Sequence, residues 1–112
     1  MGLKSYLSGI LGENKACNFL KKQGFTLIKR NFHSKFGEID IIAKKDEILH
    51  FIEVKFTQND YETSERLNSK KLEKILKTID FYHLKYGNFN DFQVDLICIN
   101  NDTIQFFENI NF

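Results

Sequence analysis

Three charged residues stand inside otherwise apolar segments, and their types and spacing suit phosphate chemistry. Asp40 interrupts Glu38-Ile39-Asp40-Ile41-Ile42, and Glu53 and Lys55 interrupt Phe51-Ile52-Glu53-Val54-Lys55. Strand alternation puts Glu53 and Lys55 on one face, with Cα atoms about 6.6 Å apart. On neighbouring strands Asp40 and Glu53 face each other, and like charges that close call for a cation between them. A hard divalent ion, Mg²⁺ or Mn²⁺, meets the need: oxygens of Asp40 and Glu53, the Val54 carbonyl and waters complete its shell, with one or two ions per site. Lys55 would hold the attacking water against a scissile phosphate polarised by the cation, which is phosphodiester hydrolysis. Glu13, at the start of an apolar helix face, would bind the same metal, hold a second or orient the nucleophile. The same residues also allow a purely structural reading, a buried salt bridge of Lys55 with Asp40 or Glu53. That bridge leaves one negative charge unbalanced.

The elements that must position these groups follow from apolar periodicity. Ala16, Cys17 and Leu20 predict a first helix from about Gly9 or Gly12 to Lys22, closed by Gly24. Phe25 to Phe32 reads as an edge strand and Ser34-Lys35-Phe36-Gly37 as a turn. In the strand Glu38 to Ala43, Glu38, Asp40 and Ile42 share one face and Ile39, Ile41 and Ala43 the other. After a connection at Lys44 to Glu47, the strand Ile48 to Phe56 is apolar on both faces and should be central. A polar loop, Thr57 to Arg66, leads to a second helix, Leu67 to Tyr86, with a lysine stripe of Lys70, Lys74 and Lys77 opposite its apolar face. Strands Gln93 to Ile99 and Thr103 to Phe107 complete the order αβββαββ. The expectation is one α/β domain over residues 1–112, with a mixed sheet of about five strands flanked by helices.

Composition narrows the class. With 112 residues, 42% hydrophobic and 28% charged, the chain can bury a modest core without staples. Cys17 and Cys98 lack CxxC spacing, which argues against a zinc knuckle or a disulfide scaffold. No apolar run is long enough to span a bilayer, and Met1 to Leu11 lacks secretory-signal character, so no membrane partner and a cytoplasmic location are expected. Glycine-rich phosphate loops and the hydrolase elbow motif are missing. The net charge of +1 conceals a basic first third and an acidic middle: residues 1–35 carry Glu13 as their sole acid. Such a chain can present one surface to a polyanion and hold a cation in another. His50, on the face of Ile48 and Ile52, suits packing or hydrogen bonding better than ligation, and Asp95 in its strand suits pairing with a lysine.

Gly12-Glu13-Asn14-Lys15-Ala16, Arg30-Asn31, Gly37-Glu38-Ile39-Asp40-Ile41-Ile42 and Phe51-Ile52-Glu53-Val54-Lys55, in that order, resemble the YraN family of small bacterial proteins. That family is similar to archaeal Holliday junction resolvases and to the restriction-endonuclease-like superfamily. The resemblance implies a restriction-endonuclease-like core, with Asp40, Glu53 and Lys55 matching the D…ExK nuclease signature and Glu13 the acidic residue of its first helix. It also matches Lys71 to the lysine that starts the second long helix, ahead of Lys70 and Lys74 as phosphate contacts. Arg30 and His33 join them as nucleic-acid-binding candidates. The chain departs from the family pattern in three places: His33, the segment Lys55-Phe56-Thr57 and Gln93 each lack an arginine that the pattern carries.

The spacing supports divalent-metal-dependent phosphodiester hydrolysis, and the resemblance implies that the substrate is DNA, branched or structured, which makes the expected activity that of an endonuclease. A resolvase-like enzyme cuts two strands symmetrically and implies a homodimer. The aromatic residues of the central strand, or Ile104, Phe106 and Phe107 of the last strand, would supply its interface, with the segment Ile110 to Phe112 packing there too. The alternative is a nucleic-acid-binding or adaptor protein that keeps the nuclease fold with little or no catalysis, which the missing arginines favour. A third reading is an interaction domain in which the charged triad is a buried network.

Overall fold

The computed structural model describes residues 3–57, 68–87, 91–100 and 103–110. Its elements are α1 (Leu3–Lys22), β1 (Thr26–Ser34), β2 (Gly37–Lys45), β3 (Ile48–Thr57), α2 (Ser69–Tyr86), β4 (Asp91–Asn100) and β5 (Thr103–Phe107). The strands form one sheet in the spatial order β1-β2-β3-β4-β5. Neighbours are antiparallel except β3 and β4, which run parallel because α2 carries the chain back across the sheet. This α/β architecture, a five-stranded mixed sheet with two helices, agrees with the expected restriction-endonuclease-like core.

The two helices cover opposite faces. Ala16, Cys17 and Leu20 of α1 pack with Phe25, Ile41, Ala43, Ile52, Ile97 and Ile99. Ile75, Ile79 and Tyr82 of α2 pack with Phe32, Ile39, Ile42, Leu49, Phe51 and Val94. Both faces of β3 and β4 are thereby buried, as the two-sided apolar pattern of Ile48 to Phe56 requires.

Local chemistry sets the boundaries. The first helix begins at Leu3, earlier than the glycines suggest. Gly12 lies within it, where a Cβ would sit 3.2 Å from Phe56 Cδ2 and 3.9 Å from Ile99 Cδ1. That glycine serves a close approach of helix to sheet and does not break the helix. At the other end Gly24 adopts φ 94°, and Phe25 N–H donates to Leu20 O at 3.0 Å, a Schellman closure. The second helix starts at Ser69, where Asn68 caps it by accepting the Lys71 N–H at 2.8 Å. Leu67, the predicted start, and residues 58–66 of the predicted loop lie outside the described residues, and β3 runs on through Thr57. Asp46 and Glu47 close the β2–β3 hairpin with φ of 52° and 66°, the backbone of a type I′ turn.

One predicted facing is corrected. Ile39 packs with Ile42 in the α2-side cluster, while Ile41 and Ala43 face α1. Alternation breaks at Asp40, which lies across from Asn31, and Asn31 holds the left-handed backbone (φ 53°) that asparagine tolerates. The residues expected at a dimer interface are also engaged within the chain: Ile104 and Phe106 pack against the α1-side cluster and Ile110 against the α2-side cluster. Phe112 lies outside the described residues. Among the described residues no helix is long and apolar enough to cross a membrane.

Candidate functional site

The paired register of β2 and β3 ends at Ile41 with Ile52, one step short of Asp40 and Glu53. Beyond it the strands no longer exchange ladder hydrogen bonds, and the Asp40 carboxylate accepts the Val54 N–H at 2.8 Å. An extended residue points its N–H and C=O to the same edge, so the Val54 carbonyl faces this opening too. Asp40 thus satisfies a strand amide at the point where the ladder opens.

Glu53 enters from β3 on the α2 side. Its side chain is 8% exposed, and Oε2 meets the Lys71 ammonium at 3.2 Å. Oε1 is buried and has no hydrogen-bond partner among the described residues. Burial and the neighbouring Asp40 carboxylate push the Glu53 carboxyl up to about 7, while the Lys71 ammonium and the Asp40 amide pull it down. Burial also raises the Asp40 carboxyl; the Val54 amide opposes it, and the charges of Glu13 and Glu38 add to the rise. The Asp40 charge therefore destabilises the ionised form of Glu53 in a place with little water, while burial, Glu13 and Glu38 disfavour ionised Asp40.

Glu13 reaches this region from α1, with 17% of its side chain exposed. Its Oε1 accepts from Arg30 Nε at 3.3 Å, Arg30 Nη2 at 3.1 Å and Asn31 Nδ2 at 3.1 Å. The left-handed turn at Asn31 aims that amide, so the Arg30-Asn31 pair fixes the carboxylate. Arg30, expected on nucleic acid, is here committed to Glu13, with 39% of its side chain exposed. His33 pairs with Glu38 across the β1–β2 hairpin at 3.3 Å.

A cleft of about 400 Å³ opens over Glu53, lined by Gly37, Glu38, Asn68, Lys70, Lys71 and Lys74 among others. The structure thus brings together Asp40, Glu53, Val54, Glu13 and the lysines of the second helix, with Lys55 two residues beyond Glu53 on the same strand face. Sequence reasoning did not single out Asn31 as the holder of Glu13, nor Glu38 and Asn68 as cleft walls. Their signals were present only as the second residue of Arg30-Asn31, a third acid on the Asp40 strand and a helix cap. The donor set is hard oxygen with one buried oxygen unsatisfied, which fits a divalent cation of the Mg²⁺ class.

A second polar cluster lies on the α1 side. Asp95 pairs with the ring of His50 through Oδ2, and its Oδ1 accepts from Gln93 Nε2 at 2.8 Å and Asn109 N–H at 2.9 Å. The partner of Asp95 is thus a histidine and not the expected lysine. The His50 ring also stands edge-on to Phe25, with centroids 4.8 Å apart.

Residues 12–99 match the model of a family described as uncharacterised protein family UPF0102. A UPF0102 protein of Campylobacter jejuni subsp. jejuni (strain 81-176) is 81% identical over 112 residues, all of both chains. One from Campylobacter hominis is 61% identical over 99% of each chain, and one from Campylobacter fetus subsp. fetus 55% identical over all of both.

Proposed function

The chain belongs to the uncharacterised protein family UPF0102, and on that premise we propose that it is a divalent-metal-dependent DNA endonuclease that hydrolyses phosphodiester bonds in branched or structured DNA. The observation that carries this reading is the buried, unpartnered Oε1 of Glu53 beside Asp40. A buried acceptor left without a partner costs stability, and a site that accepts that cost is a candidate for function.

A bound Mg²⁺ or Mn²⁺ would polarise the phosphoryl group and neutralise charge growing on its oxygens. Asp40 and Glu53 would hold the cation together with the Val54 carbonyl. Glu13, clamped by Arg30 and Asn31, adds negative charge toward Asp40 and serves to orient water on the α1 side. Lys71 pairs with Glu53 and lines the cleft, and it would pass its ammonium to a phosphate oxygen of the substrate. Lys70 and Lys74 extend that contact along the helix, and Lys55 steadies the attacking water from the Glu53 face. Symmetric cutting of a branched substrate requires two such sites, hence a C2 homodimer, acting in the cytosol.

One observation favours a second reading, a nucleic-acid-binding or adaptor protein without catalysis: the Lys71 ammonium already pairs with Glu53, which balances part of the acidic charge that a catalytic cation would otherwise neutralise. The deciding experiment incubates end-labelled linear, flapped and four-way DNA with the chain and Mg²⁺ or Mn²⁺, with a chelator control. Discrete metal-dependent products support the nuclease. Retarded but intact DNA, with retardation unchanged by Asp40→Asn, supports the alternative.

A further inference from the structure

The tip of the β1–β2 hairpin carries an exposed aromatic ring that the hydrolytic site does not use. Phe36 is 38% exposed. The hairpin is held in place, because Ser34 Oγ bonds Thr78 Oγ1 of α2 at 3.0 Å and also accepts the Phe36 N–H at 3.0 Å. The ring is therefore presented on a fixed support. Two ammonium groups stand near its face, Lys35 Nζ at 5.3 Å and Lys77 Nζ at 5.8 Å from the centroid.

Beside Phe36 lies a shallow cavity of about 290 Å³ lined by Lys77, Asp80, Phe81 and Leu84. Its walls are unusually apolar for a surface: Leu84 is 87% exposed and Phe81 37%. This cavity adjoins the cleft over Glu53. Gly37, the next residue after Phe36, lines the cleft, and so does Lys74, one helical turn before Lys77. Lys70, Lys74 and Lys77 follow the i, i+4, i+7 spacing of one helix face, so a line of positive charge runs from the cleft to the aromatic ring. The exposed pairing of Lys77 with Glu73 at 3.4 Å is worth little and leaves the ammonium available to a phosphate.

An exposed aromatic face flanked by lysines, continuous with a phosphate-binding track, is the pattern that binds single-stranded nucleic acid: bases stack on the ring and cations follow the backbone. A paired base in a duplex offers no free face to such a ring. We propose that Phe36, with Lys35 and Lys77, is a stacking platform for an unpaired base adjoining the cleavage cleft, which selects DNA carrying a single-stranded segment next to a duplex. The neighbouring apolar cavity of Phe81 and Leu84 receives the base edge or the following base, and Asp80 offers an acceptor to an exocyclic amino group. The inference rests on the nucleic-acid reading of the cleft and names the substrate feature that it recognises.

The test is fluorescence anisotropy in the presence of a chelator, so that no cleavage intervenes, with labelled oligonucleotides that are blunt duplexes or duplexes with a single-stranded tail. The wild-type chain is expected to bind the tailed form about 10-fold more tightly, and Phe36→Ala to abolish that preference while still binding the blunt duplex. Phe36→Leu keeps the apolar bulk without the ring and should behave like Phe36→Ala; Phe36→Tyr should behave like wild type. Thermal unfolding of each variant confirms folding. A tail carrying bromodeoxyuridine should photo-crosslink to the peptide that contains Phe36. Equal affinity for both forms, or a preference that survives Phe36→Ala, overturns the platform while leaving the cleavage reading intact. Binding of neither form overturns the platform, and the cleavage reading is then decided by the metal-dependent assay on branched DNA. A dimer that Leu84→Glu dissolves, without any strand preference, assigns the face to a second copy and also overturns the proposal.

Discussion

His50 and Glu53 stand three residues apart on β3 and are comparably buried, at 4% and 7% exposure, yet their surroundings are built in opposite ways. On the α1 side, the carboxylate that partners His50 has every oxygen occupied: Asp95 takes the imidazole, the Gln93 amide and the Asn109 N–H. On the α2 side, Glu53 has one oxygen paired and one with no partner among the described residues, and a second carboxylate stands beside it. A satisfied buried polar group ties elements together; here Asn109, just past β5, is bound to β4, next to the Ile110 N–H to Val94 O bond at 2.8 Å. An unsatisfied one burdens the fold and is retained where a ligand completes it. The contrast separates architecture from chemistry within a single strand.

The contrast breaks most visibly in cleavage. Asp40→Asn and Glu53→Gln should each lower metal-dependent DNA cleavage by on the order of 10³-fold, measured as initial rates on branched DNA. Gln93→Ala, which removes one of the donors to Asp95, should leave the rate per folded molecule unchanged.

Stability should respond with the opposite sign at the two places. Asp95→Ala strips His50, Gln93 and the Asn109 amide of their acceptor and should cost about 3 kcal/mol, read from the denaturant midpoint. Glu53→Gln should instead stabilise the metal-free chain by roughly 2 kcal/mol at pH 8. The sign follows from the raised carboxyl. Below pH 4.5 both folded and unfolded chains carry the Glu53 proton, so ionisation costs nothing. As pH rises toward about 7 the unfolded chain ionises first, and the wild type loses stability until the folded carboxyl also ionises. The advantage of the Glu53→Gln variant should therefore grow between about pH 4.5 and 7 and level off above, as paired denaturant curves across that range would reveal.

The smallest effect belongs to Lys71. Its side chain is 56% exposed, so Lys71→Gln should change stability by less than about 1 kcal/mol. Its signature should lie in DNA binding, where the slope of log affinity against log salt falls by about one as a phosphate contact is removed.

Much of this site could be read from the chain because its signal is local. An acid inside Ile39-Asp40-Ile41 and another inside Ile52-Glu53-Val54 contradict strand patterning, and strand alternation then puts Glu53 on one face with Lys55. The order of elements was legible for the same reason, since helix and strand periods differ. What escaped depends on distant contacts. Gly12 resembles a helix breaker until Phe56, far along the chain, is seen against it. The partner of Asp95 lies on another strand, so nothing local distinguishes a histidine from a lysine there. The shift of Ile39 to the other face coincides with one left-handed residue on the neighbouring strand, Asn31, whose backbone no periodicity reports. The unpaired oxygen of Glu53 also becomes visible only when its neighbours are placed.

The most direct test of the central claim, that Asp40 and Glu53 form a divalent-cation site, is isothermal titration of Mn²⁺ and Mg²⁺ into the wild-type chain and the Asp40→Asn, Glu53→Gln double variant at about pH 6 and about pH 8, either side of the raised Glu53 carboxyl. Saturable binding by the wild type is expected, stronger at the higher pH because the cation must displace the Glu53 proton, with loss of that heat in the double variant. Binding that is absent from the wild type at both pH values, with or without branched DNA, or that survives unchanged in the double variant, would contradict it.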